Sequence, residues 1–417
     1  MGLVNMIRNG MRSFLQLKEA QPNQIIINES MTFEDNAAKN QIWYRGESFE
    51  LAQLYSQLQN TKNSFWGANS SQGQEIRKIH TGIPGLIVDR LVDIVVYDMN
   101  DFEFKDAKQS DLWDSIQDEN DFEQQIKDAI KDALVIGDGA FRISFDSEVS
   151  QLPIIEWVGG ERIQIKNKRG RLNEVIFTTR FEENRRTYTL EEHYGFGYVR
   201  NKLYRDDNEI DMQSTEYTRN ISDYEFDKSL ILCVPFRIFV SKKEKGRGQS
   251  IFDRKSDTFD SLDEAWSQWM DALRAGRTKT YIPESLIPRD PNTGMLLRPN
   301  AFDNRFIKTA DDTTENGKNV ITQLQANIPH DSYLATYVTA LDLALQGLIS
   351  PSTLGIDVKK LDNAEAQREK EKATLYTRNS IVISLQKFIP RLVSMTINSF
   401  NVLNHRPIEE ITVTIPF

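Results

Sequence analysis

The sequence predicts an α+β chain, with helix-rich stretches on either side of a β-rich one. Three observations carry this. Apolar residues recur at helical spacing over 47–58, 121–134 and 250–403. Between Pro153 and Val240, short alternating runs (PIIEWV, RIQIKN, EVIFTTRF, RTYTLEEHYG, YVRNKLYR, ILCVPFRIFV) are separated by Gly159-Gly160, KNKRGR and EENRR turns, as in a meander. A helix-forming run after Asn363 then continues to Leu403. At ~1.5 Å per residue it would reach roughly 60 Å, longer than most globular domains use.

Composition bounds the rest. The 417 residues are 39% hydrophobic, 27% charged and 10% aromatic, enough for a sizeable core and typical of a folded chain of two or three domains. No uninterrupted apolar run approaches the ~20 residues of a membrane span, so no transmembrane segment is expected. The opening MGLVNMIRNGMRSFLQLKEA is amphipathic, with Arg8, Arg12 and Lys18 interleaved, and reads as a peripheral helix rather than a secretory signal. Met6 stands where a myristoylation motif needs Ser or Thr. Cys233 is the single cysteine, which gives neither a disulfide framework nor a zinc set and fits a reducing compartment. His80, His193, His330 and His405 are far apart in sequence. With no GxxxxGK[ST], HExxH, GxSxG or CxxC, neither catalytic residue, cofactor nor metal site is expected. A net charge of −10 argues against wrapping nucleic acid by bulk electrostatics.

In order, Leu51, Leu54, Tyr55 and Leu58 mark a helix, and 60–73 (NTKNSFWGANSSQG) an exposed loop. Pro84 suits a first helical turn running into LVDIVVYDM. The polar stretch 100–111 reads as a surface loop. Phe122, Ile126, Ile130 and Leu134 form a helical stripe that stops at Gly137-Asp138-Gly139, before an alternating strand over 140–145. These glycines read as turn residues, because no phosphate-loop helix succeeds them. Lys242, Lys243, Lys245 and Arg247 read as a solvated basic turn, and Ile411–Ile415 as a closing strand.

The stretch 250–403 organises the chain. Its first helix, Ser250–Ala275, carries Phe252, Phe259, Leu262, Trp266, Trp269 and Leu273 at heptad-like spacing, a seam for packing. Asp253, Asp257, Asp260, Glu264 and Asp271 make a second stripe: a solvated acidic face, or a negative wall if repeated around a ring. The second helix, Asp331–Ile349, carries Leu334, Val338, Leu341, Leu345 and Leu348, with Asp331 as N-cap. Between them Pro283–Asn327, polar yet holding MLL, FI and VITQL, reads as a protruding subdomain with a short strand or two. A loop, SPSTLGIDVKKL, places Lys359 and Lys360 side by side. The long helix then opens with Asp362 or Asn363 as cap and Glu365 three residues after Asp362, and Pro390 is expected to kink it.

Helix, polar insert, helix, SPSTLGID, and a long helix opening NAEAQREKEKATLYTRNS together resemble the portal protein of tailed bacteriophages infecting Gram-positive hosts. The resemblance is clearest over 246–404 and extends to the N-terminal half only in element order. It implies a portal-type ring subunit: a mixed wing (1–249), stem helix (250–276), small α/β clip (277–328), second stem helix (329–349), tunnel loop (350–362), long kinked wing helix (363–405) and a strand (406–417) at the base of a reduced or missing crown. It implies a homo-oligomeric ring, a dodecamer, at a virion vertex assembled in the host cytoplasm, with double-stranded DNA passing through the channel. The implied partners are the terminase large subunit, head-completion or adaptor proteins, and major capsid and scaffolding proteins, with no membrane. By this resemblance Lys359 and Lys360 would touch DNA, and the acidic stripe would line the channel. Trp266, Trp269, Leu273, Leu334, Leu341 and Leu345 would pack the stem. The alternatives are another virion ring or adaptor protein, or a metal-dependent nuclease or hydrolase.

Overall fold

A computed structural model describes residues 31–58, 64–68, 76–287, 289–295, 306–310, 320–356 and 364–417, with backbone only for 306, 308 and 364–370. The N-terminal helix, much of the 60–73 loop, Lys359, Lys360 and the capping residues Asp362 and Asn363 lie outside the described residues. The chain divides into two compact units, 1–32 and 33–417, and the second carries the described helices and strands.

Helix α1 spans Phe33–Arg45, α2 Ser48–Gln57 and α3 Ile83–Tyr97. Helix α3 is apolar almost all round, and Ile87, Val88, Leu91 and Val95 are fully buried, so it runs through the core. Pro84 sits in its first turn, as expected. The polar stretch 100–111 is not loop throughout. It holds strand β1 (Glu103–Phe104) and the start of helix α4 (Ala107–Glu119), whose Asp106 cap accepts the Lys108 N–H at 2.9 Å. Sequence periodicity missed α4 because its buried face rests on little more than Trp113 and Ile116. Helix α5 (Phe122–Val135) buries the stripe the sequence marks.

Strands β2 (Asp138–Ser144) and β3 (Ile154–Gly159) pair antiparallel. Four of the six runs read as one meander form it, namely β4 (Ile163–Lys168), β5 (Arg171–Glu183), β6 (Arg186–Gly195) and β7 (Tyr198–Arg205), followed in sheet order by β8 (Asn208–Ile210), with β9 (Tyr224–Glu225) adding to β7; the first and last runs pair with β2 instead. Three of its two-residue turns, Arg169-Gly170, Asn184-Arg185 and Asp206-Asp207, hold both residues at positive φ. That is the turn geometry whose twist matches antiparallel strands. Strand β10 (Cys233–Arg237) returns to the free edge of β2. Arg142 on β2 reaches Glu156 on β3 at 2.8 Å and also bonds Glu192 on β6, tying one sheet to the other.

Arg247, which the sequence placed in a solvated basic turn, is instead a fastening. Its guanidinium grips Asp138 in two places, at 2.9 and 2.8 Å, and donates to the carbonyls of Gly160 and Ile163. Its other face lies 3.6 Å from the Phe33 ring centroid. Asp138 has no exposed surface and also accepts the Gly248 N–H at 2.6 Å. The approach leaves no room for side chains: a Cβ on Gly248 would lie 1.9 Å from the Gly137 carbonyl oxygen.

Helix α6 (Ser256–Ala275) begins six residues after the expected Ser250, because the Ser250 hydroxyl bonds the Leu134 carbonyl and accepts the Phe252 N–H in a preceding turn. The insert forms a three-stranded sheet in which β11 (Lys279–Pro283) runs parallel to β12 (Phe306–Thr309) and antiparallel to β13 (Thr322–Leu324). Helix α7 spans His330–Leu345, shorter than expected at its C-terminus. Asp331 is not its cap; Pro329 holds that position, and Asp331 sits in the first turn, favourable to the helix dipole.

Helix α8 runs Ala364–Leu403 as one 40-residue element through Pro390. Ile381, Leu385, Ile389, Leu392 and Val393 are buried, and Phe388 packs on Phe141 (5.4 Å) and Phe236 (4.8 Å) of the β2–β10 sheet. Although no uninterrupted apolar run reaches that length, Glu371–Leu403 is long and apolar enough to cross a membrane by length and composition; half of its most apolar window is buried in the protein, as in a core helix. Strand β14 (Val413–Thr414) closes the chain against β1.

This packing is testable at two points. Arg247→Ala should destabilise the fold by about 3–5 kcal/mol in chemical denaturation, because Asp138 is left buried without its cation. Asp132, which accepts the Trp157 indole N–H at 2.7 Å, is pushed up to about 6, chiefly by burial. Its raised folded value means that its contribution to stability is present below the unfolded value near 4 and is lost as pH rises through about 6. Asp132→Asn should therefore gain on the parent between pH 4 and 7, by at most about 3 kcal/mol, in denaturation curves taken across that range. A difference that stays flat with pH would contradict the assignment.

Candidate functional site

Helix α6 is where the acidic stripe was expected, and the fold divides that stripe. Asp260 is buried, and its two carboxylate oxygens accept the N–H groups of Phe65 (2.7 Å) and Trp66 (3.1 Å). Burial pushes its acid up, although both backbone bonds favour the anion. Asp253, ahead of the helix, accepts from Asn36 (2.8 Å) and Asn40 (3.1 Å) of α1. Neither can belong to an open wall within this subunit. Asp257 is exposed, and Glu264, half-buried, accepts from Gln268 at 2.8 Å. Asp271 is half-buried near the end of the helix.

Asp263 is the residue that sequence reasoning missed. It has no exposed surface and accepts the Trp66 indole N–H (3.1 Å), the Thr81 backbone N–H (2.9 Å) and the Thr81 hydroxyl (2.9 Å), and it faces His80 Nδ1 at 2.7 Å. Ser267, one turn on, accepts the Ile79 N–H at 2.9 Å. Asp260, Asp263 and Ser267 thus form a polar rail at i, i+3 and i+7, on which 64–66 and 79–81 are laid. These segments have no regular partner for their backbone donors, and the rail supplies acceptors. The sequence signal was faint: an Asp between Leu262 and Ala265, with no spacing that marks a loop as its partner.

The His80–Asp263 pair has the form of an imidazole–carboxylate dyad, and burial decides its role. The His80 side chain is 2% exposed and its Nε2 has no hydrogen-bond partner among the described residues. Ser48 Oγ accepts from the His80 backbone rather than facing that nitrogen. Through Asp263 the dyad joins α6 to the segments at Trp66 and 79–81. Among the described residues, no three His, Cys, Asp or Glu side chains gather as a metal site would require.

Helices α6 and α7 pair through aromatic rings. Trp266 lies 5.3 Å from Tyr337, and Trp269 lies 6.2 Å from Tyr337 and 5.7 Å from His330, centroid to centroid. Tyr337 and His330 were not in the expected seam. Leu341 and Leu345 are buried as expected, but Leu273 (39% exposed) and Leu334 (36%) stay partly exposed within the subunit. A heptad seam buries all its positions only when helices flank it throughout; here burial falls off toward the insert. A groove of about 530 Å³ opens beside the pair, lined by Thr258, Glu264, Gln268, Thr336 and Thr339 among others. Beyond α7, Ser350 is buried, its N–H donates to Thr374 Oγ1 (2.8 Å), and its hydroxyl meets Ser352 and Thr353. This fixes the base of the loop that leads to Lys359 and Lys360, themselves outside the described residues.

No family model and no curated protein matches the chain. Among solved structures, it is similar to a chain of the neck of a native GTA particle, computed with C12 symmetry. That match has a TM-score of 0.42 and 11% identity, over 80% of this chain and 81% of that one.

The rail gives a direct test. Asp263→Ala should cost about 3–5 kcal/mol of stability, since it orphans the Trp66 and Thr81 donors. Asp257→Ala, on the exposed side of the same helix, should stay within about 0.5 kcal/mol. Equal effects in parallel denaturant titrations would show that the rail does not hold the loop.

Proposed function

We propose that this chain is a portal subunit, one copy of a homo-oligomeric ring through which double-stranded DNA enters and leaves a tailed-phage head. The observation that carries the reading is the order of elements: α6, an inserted three-stranded sheet, α7, the segment 346–363, and then the 40-residue α8. That is the order in which the sequence resembles portal proteins. In this reading α6 and α7 are the stem, the inserted sheet is the clip that meets the terminase large subunit and later the head-completion proteins, and α8 spans the wing. The surrounding shell would be the major capsid protein, placed with the help of a scaffolding protein.

A conduit has to let a polyanion slide, so its wall should repel phosphate without holding it. Asp257, Glu264 and Asp271 are the acids of the expected stripe that remain for this role, since Asp253 and Asp260 are engaged inside the subunit. The ring is proposed to have twelve copies and no catalysis of its own, with ATP hydrolysis left to the terminase. Lys359 and Lys360 would make passing phosphate contacts from the tunnel loop.

Negative-stain electron microscopy of the purified chain should reveal rings with a wide axial channel. A compact monomer with divalent-dependent nuclease activity would overturn the reading. Lys359→Ala combined with Lys360→Ala should leave rings intact and lower the DNA packaged or retained per particle. Loss of ring assembly in that variant would instead make the loop structural.

A further inference from the structure

The basic segment that the portal reading leaves unused lies beside a second one. The β4–β5 hairpin tip carries Lys168, Arg169 and Arg171, and the loop 241–247 carries Lys242 and Lys245; all five are exposed. They are far apart in sequence but adjacent in the fold: a Cβ on Gly246 would lie 2.4 Å from the Asn167 side-chain nitrogen. The loop 241–247 is itself a closed hairpin, with the Ser241 N–H on the Arg247 carbonyl (3.0 Å) and Arg237 donating to the Gly246 carbonyl. Its base is the buried Arg247–Asp138 pair. Among the described residues, none of the five cations makes an ion pair, on a chain whose net charge is −10.

An exposed acidic stripe lies on α4. Asp111, Asp114 and Asp118 form an exposed stripe at i, i+3 and i+7, with Asp101 nearby. Burial and the like charges of Asp111, Asp118 and Asp101 hold the Asp114 acid above the usual carboxylate range. The stripe repels itself, and among the described residues none of its three carboxylates makes an ion pair.

We infer that the paired basic tips of one copy dock against the acidic α4 face of the next copy, so that the chain associates head to tail. This rests on the ring reading and adds which faces meet. Two different faces of one subunit make a heterologous contact, the kind that closes a ring when the rotation permits. The favoured occupant is a second copy rather than nucleic acid. A polyanion would meet the unfavourable field of an acidic chain, whereas the chain itself supplies a matching face. Such pairs lie at a wet rim, so they set partner choice and salt sensitivity more than total affinity.

The test is charge reversal on the full chain, read by mass photometry, with circular dichroism to confirm folding. Lys168→Glu/Arg171→Glu/Lys245→Glu should weaken assembly roughly tenfold, and so should Asp111→Lys/Asp114→Lys/Asp118→Lys. Mixing the two variants, or combining both sets in one chain, should restore it, and rising salt should weaken the parent. If the parent assembles and both variants assemble equally well, the face assignment is wrong while the ring reading stands. If the parent stays monomeric under all conditions, the ring reading falls and takes this one with it. If the parent's basic tips instead capture a DNA duplex, and reversing them abolishes that without touching assembly, the surface serves nucleic acid and the inference is overturned. Should the triple variants misfold, the corresponding Gln and Asn neutralisations carry the same comparison.

Discussion

The buried pair between Asp138 and Arg247 is the constraint on which much of the architecture turns. An unpaired carboxylate at that depth would cost several kcal/mol, so the guanidinium must be delivered to it from a distant part of the chain. The sequence meets that need with glycines at 137, 160 and 248, which let three backbones crowd around one ion pair. The same guanidinium satisfies carbonyls at the junction of β3 and β4 and covers the Phe33 ring at the head of α1. It thereby sets where the segment leading into α6 leaves the sheets.

From there α6 acts as two helices in one. Its first three turns belong to the core, with Phe259 and Leu262 fully packed and Asp260, Asp263 and then Ser267 accepting from loop backbone. Its C-terminal half is half-exposed and rests on α7 through tilted and edge-on rings. Carboxylates that look alike in a sequence stripe therefore have opposite fates. Inside, they are acceptors held by N–H donors; outside, they are free to shape a field.

Much of the fold was legible in the sequence because it is written in periodicity. The meander, the α5 stripe, the Pro84 entry and the long α8 all declare themselves through local pattern. What was not legible depends on partners distant in sequence. Arg247 sits among lysines and looks solvated until Asp138 is brought to it. Asp260 belongs to an acidic series until Phe65 and Trp66 supply donors. Helix α4 hides because two apolar residues suffice to anchor it once β1 and α5 are in place. For the candidate site, the seam positions Leu341 and Leu345 were readable, but Tyr337 and His330 were not, since aromatic contacts between α6 and α7 follow geometry rather than heptad count.

The pairing of β1 with β14 has a consequence for how the chain comes to be folded. Gln109 bonds the side chain of Glu409, 300 positions away, and Asn398 exchanges two bonds with the Glu409 backbone beside it. During synthesis, the edge at Glu103–Phe104 has no partner until residue 414 has emerged, long after α3 and α5 could have packed. Contacts this distant in sequence form slowly, because closing so large a loop must precede any gain from the pairing. The last turns of α8 and this two-stranded clasp would therefore be the late step, and the interval before it is when the nascent chain most needs protection from its neighbours.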